Sequence, residues 1–154
     1  MKTKLLGLTL ALSLLAAGAC FANPNMGTWK LNEEKSHLDP AQGKNPLVKY
    51  EAAGDEIKVT VEGVDKDGKS ANNTWTGKFD GKDYPVKGDS RVDSRSYKQV
   101  DDRTLEMTIK KGGKVVMTGT IKVSADGKTR VVTTESTNAE GKKVESKGVY
   151  DKES

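Results

Sequence analysis

The chain has 154 residues, of which 34% are hydrophobic, 31% charged and only 5% aromatic, and it carries a formal charge of +4 at pH 7. That length supports one domain around one core, and the interspersed Lys, Asp and Glu, with no basic block carrying interleaved aromatics, exclude nucleic acid as a partner. A single cysteine, Cys20, and a single histidine, His37, exclude an internal disulfide and leave neither a zinc cluster nor a catalytic triad to assemble.

In chain order, Lys2 and Lys4 precede an apolar run from Leu5 to Leu15 and a small-residue stretch, Ala16 to Ala22. This reads as an export signal over residues 1–22, too short for a membrane span. Removing its two lysines leaves 24 basic against 22 acidic side chains. The alternative is a lipoprotein signal over 1–19, in which Ala17-Gly18-Ala19-Cys20 makes Cys20 the lipidated first residue. The expected location is the periplasm or the exterior; on the alternative it is the outer membrane, through a lipid anchor.

Residues 23–154 then read as one β domain. A first strand is expected from Gly27 to Asn32, followed by a loop with a short helical turn between Glu33 and Pro46, where His37 is a solvated residue. Further strands are expected near Leu47–Ala52 and Ile57–Val64, the latter alternating Ile57, Val59 and Val61 against Lys58, Thr60 and Glu62. Asn73–Phe79, Asp83–Lys87 and Arg91–Val100 follow. Thr104–Lys110 and Lys114–Val123 form a hairpin about Gly112-Gly113, with Val115, Met117, Gly119, Ile121 and Val123 on one face. Thr129–Thr137 and Lys142–Asp151 close the series.

Turns recur at Gly54, Asp67-Gly68, Asp80-Gly81, Asp126-Gly127 and Glu140-Gly141, where Gly supplies the positive φ that tight reversals need. The fold class is therefore all-β: an antiparallel up-and-down meander closed into a barrel of 8–10 strands, which removes its edges. Asp65-Lys66-Asp67-Gly68-Lys69-Ser70 has its glycine too early for a calcium loop and no closing glutamate, so it reads as a turn. Asp101-Asp102 reads the same way.

The strand around Tyr97 leaves two arrangements open. If Tyr97 faces inward, Asp93, Arg95 and Gln99 follow it by parity, and a buried Arg95 then needs Asp93, a tyrosine or a ligand carboxylate as its partner. Otherwise Arg95 lies outside in a surface ion pair.

Gly27-Thr28-Trp29-Lys30-Leu31 resembles the first strand of the calycins, the lipocalins and fatty-acid-binding proteins, and Val149-Tyr150-Asp151-Lys152 resembles the last strand of the intracellular branch. The resemblance implies a barrel plugged at one end by Trp29, with an Arg or Lys stacked on it. It departs at Gly148, which stands where that branch has the arginine of an Arg-x-Tyr motif.

The resulting expectation is a non-catalytic monomeric barrel binding a small apolar or amphipathic molecule, with no cofactor and no metal. The candidate contacts are Tyr50, Trp75, Phe79, Arg95, Tyr97, Arg130 and Tyr150, converging on the interior. The alternative is a solidly packed envelope module that engages a protein or glycan. An enzyme would have to work through Tyr, Arg or carboxylates.

Overall fold

The computed structural model describes residues 23–154, and the expected signal segment and Cys20 lie outside the described residues. Ten strands run in order: β1 (Gly27–His37), β2 (Lys44–Ala53), β3 (Glu56–Val64), β4 (Asn73–Gly77), β5 (Tyr84–Lys87), β6 (Ser94–Asp101), β7 (Thr104–Lys111), β8 (Lys114–Val123), β9 (Thr129–Thr137) and β10 (Lys143–Lys152). Each pairs antiparallel with its sequence neighbours, and β1 pairs with β10 to close the barrel. Among the described residues the one helical element is a 3₁₀ turn, Pro40–Gln42, and no helix is long and apolar enough to cross a membrane.

The reversals are built from short polar side chains as well as glycine. Asp65 Oδ1 accepts the amides of Asp67 and Lys69, both at 2.9 Å, so the segment that superficially matches a calcium loop spends this carboxylate on its own backbone. Asn138 does the same for Glu140 and Lys142 at 3.0 Å, and Asp101 accepts from Arg103 N at 2.9 Å. Such local bonds support each turn independently of long-range pairing.

Two expectations need correction. β1 does not stop at Asn32: it runs to His37 through an irregularity in its pairing with β10, between Asn32 and His37. Ser36 Oγ bridges that gap, donating to Asn32 O at 2.6 Å and accepting from Val149 N at 2.8 Å. Val115 does not share the inner face of β8. Ile109 pairs with Met117 while Lys110 pairs with Val115, so Val116 is an extra residue. A bulge of this kind reverses the parity beyond it, leaving Val115 55% and Val116 40% exposed.

The core lies inside the barrel. Trp29, Val59, Trp75 and Leu105 are fully enclosed. Trp29 closes one end: its Nε1 donates to Asn25 O at 2.8 Å, and Arg130 and Lys152 stand over its ring at 4.9 and 5.4 Å. Gly77 admits the aromatic packing between β4 and β5, since a Cβ there would clash with the Tyr84 ring and sit 2.8 Å from that of Trp75.

Two results should follow. Trp29→Ala should cost about 3–5 kcal/mol as a large core truncation, and Gly77→Ala about 1–3 kcal/mol by overpacking, both read from denaturant melts. A near-neutral Trp29→Ala would show that the end is not closed by this residue.

Candidate functional site

The interior holds two arginines. Arg95 on β6 is 6% exposed and Arg130 on β9 is 2% exposed, so the inward arrangement of the Tyr97 strand is the one adopted. The surface ion pair considered for Arg95 does not form. Asp93 instead lies exposed and accepts from Lys111 Nζ at 3.0 Å, while Gln99 stands at the rim, where Asn23 donates to it. Arg95 and Tyr97 are buried as parity requires, whereas Asp93 precedes β6 and Gln99, still paired with Leu105, is exposed.

Arg95 is held by neutral groups. Its Nη2 donates to Asn73 Oδ1 at 3.0 Å and its Nη1 to Tyr97 Oη at 3.4 Å. Its own carbonyl accepts from Trp75 Nε1 at 2.8 Å, which fixes the backbone beneath it. Arg130 sits among aromatic faces instead: its guanidinium carbon is 4.9 Å from the ring centres of Trp29 and Tyr50 and 5.0 Å from that of Tyr150. Tyr150 is the direct cross-strand partner of Arg130, so a cation reaches Tyr150 from the neighbouring strand although Gly148 offers none.

Neither charge is neutralised by a carboxylate. Every ion pair among the described residues involves other side chains. Among the described residues, four buried side-chain polar atoms lack a hydrogen-bond partner, and three of them are Arg95 Nε, Arg130 Nε and Arg130 Nη1. Cation–π contacts return about 0.5–2 kcal/mol each, whereas burying an ion costs several kcal/mol after relaxation. The rings therefore offset only part of the cost, and the two guanidiniums remain the least satisfied groups in the barrel.

The two arginines border one enclosed cavity of about 90 Å³. A second space of about 300 Å³ lies at the mouth, between the Pro40–Gln42 turn, the loop at Asp89–Val92 and the stem of the β7–β8 hairpin. Asn45, Arg95, Ile109 and Met117 line both spaces, so Arg95 stands at the junction. The 3₁₀ turn is strapped across the mouth by Gln42, whose Nε2 donates to Ser136 Oγ at 3.0 Å and Val144 O at 3.1 Å, and whose Oε1 accepts from Thr134 Oγ1 at 2.7 Å.

Tyr50, Arg95, Tyr97, Arg130 and Tyr150 line the enclosed cavity, whereas Trp75 and Phe79 do not. Those two form its aromatic backing: Trp75 meets Tyr97 edge-on at 4.8 Å and stacks with Phe79 at 6.4 Å. Asn73 is a site residue that the sequence reading passed over, although it shares the inward parity of Trp75. Gln42 and Asn45 lie where strand alternation breaks, and no periodic signal marks them.

Burial governs the phenols. It pushes Tyr97 above the ordinary range against the opposing charge of Arg95, and pushes Tyr150 up to about 12 against Arg130. Both therefore present hydroxyls at neutral pH; that of Tyr150 donates to Asn45 O at 3.0 Å. Among the described residues no three His, Cys, Asp or Glu side chains group to hold a metal ion. No family model matches the chain, and no curated protein matches its sequence.

Asn73→Ala should cost about 1.5–3 kcal/mol, since it strips a charged donor of its acceptor; calorimetric unfolding measures it. For Tyr150 the folded pKa lies above the unfolded value of about 10. Its contribution is thus complete below pH 10 and is lost as pH rises through 10 toward 12. Stability of the wild type should fall more steeply across that window than that of Tyr150→Phe.

Proposed function

We propose that this barrel is an exported binding protein that takes a small apolar or amphipathic molecule without turning it over. The observation that carries the reading is the mouth space of about 300 Å³ opening onto a cavity edged by cations and hydroxyls. Its size lies at the lower end for small-molecule sites. An amphipathic guest would rest its apolar body against Val92, Ile109 and Met117 and turn its polar end toward Arg95.

What supports binding over catalysis is the lining itself: guanidiniums, protonated phenols, amides, Ser and Thr hydroxyls, hydrocarbon and one carboxylate, Asp89, that is paired with Arg91. Lipocalin-like carriage in the periplasm or outside the cell is the finer form of the reading, supported by the closed meander, the Trp29 plug and the leading Lys-apolar-small segment. The two forms of export differ at one residue. A mature chain beginning at Asn23 makes the protein soluble, whereas fatty-acid labelling lost in Cys20→Ser makes it a lipoprotein.

One observation favours a packed interaction module instead: the interior cavity is small, about 90 Å³, and Val115 stands 55% exposed on β8. Native mass spectrometry of protein purified from its own host separates the two readings. A retained small molecule, released faster in Gln42→Ala than in the wild type, is the outcome expected of a binding protein. A bare chain that also fails to take up a fluorescent amphiphile would leave the module.

A further inference from the structure

We propose that the enclosed cavity is a site for a compact anion, about the size of acetate or nitrate, held between Arg95 and Arg130 whatever occupies the mouth. The inference rests on charge and size rather than on the amphiphile reading.

Fourteen residues line the cavity of about 90 Å³, two are arginines, and none is Asp or Glu. A guanidinium is a permanent charge, so the space is bordered by two like charges with nothing of opposite sign in its wall. Asp89 lies at the mouth, but its ion pair is with Arg91, whose Nε and Nη2 grip its two oxygens at 2.9 and 2.8 Å. That grip holds its carboxyl low, and the Arg95 charge helps. Asp93 is turned outward to Lys111. The aromatic rings around Arg130 orient it and supply no net charge.

Volume sets the class of anion. About 90 Å³ is several times the roughly 10–15 Å³ of such free space that one water needs. A carboxylate, nitrate or halide fits that space. The planar fork of a guanidinium suits a carboxylate or nitrate in particular. Tyr97 and Tyr150, kept protonated by burial, add no competing negative charge across the neutral range.

The test is thermal unfolding of the mature protein at constant ionic strength, with gluconate replaced stepwise by acetate, nitrate or chloride. Gluconate is too large to enter. A saturable rise in melting temperature with at least one compact anion is expected, together with a heat of binding in calorimetry. Apparent affinity should fall about 30-fold or more in Arg95→Gln and in Arg130→Gln, because each removes one partner of a buried charge pair. Arg103→Gln, exposed and lining neither space, should leave it unchanged.

Should either interior variant fail to fold, the comparison of anions on the wild type still decides. Equal stability in gluconate and all compact anions overturns the proposal. Octanoate stabilising where acetate does not also overturns it, and leaves the amphiphile reading standing. Stabilisation by acetate in a protein that neither retains nor takes up an amphiphile supports the anion site and removes the other reading.

Discussion

The pairing of the first strand with the last is the constraint on which everything else depends. Without the β1–β10 ladder the meander is an open sheet with two raw edges, and the faces that now converge would diverge. Trp29 meets Lys152 and Leu31 meets Tyr150 across that seam, while Thr28 and the terminal segment exchange backbone bonds, Thr28 N to Ser154 O and Glu153 N to Thr28 O. These contacts lie far apart in sequence and are expensive in loop entropy. Their formation is what turns a row of hairpins into a container.

Once closed, the container must solve a polar problem with few residues. Its wall is thin in aromatics, and it places two cations where most small barrels place hydrocarbon. Arg95 is managed with an amide and a phenol, Arg130 with three ring faces. Such a core is less stable than an apolar one of equal volume. Retaining it makes sense where the charge has work to do, and the position of both side chains on one cavity is the physical basis for assigning that work to binding.

Much of this was legible in the sequence because two simple periodicities were intact. Alternation in β3 and β7 and the Asp-Gly and Gly-Gly reversals locate most strands to within a residue or two, and parity with Tyr97 carries Arg95 inward. The misreadings share one cause, since each lies beside an irregularity that parity cannot see. Glu33, Glu34 and Lys35 hide the extension of β1, and the extra Val116 turns Val115 outward. The role of Gln42 depends on partners about a hundred positions away, Ser136 and Val144, so no local pattern could announce it.

The wall is not equally strong all round. β5 is four residues long, contains Pro85, and is joined to β4 and to β6 by only two register pairs on each side, against nine between β9 and β10. Proline withholds a ladder donor, so this sector is the hinge stave of the cask. Its amides should exchange with solvent by local opening well before those of the β9–β10 wall. Such breathing would part the barrel beside Arg95 and give a guest or an ion a side entrance while the Gln42 strap stays fastened.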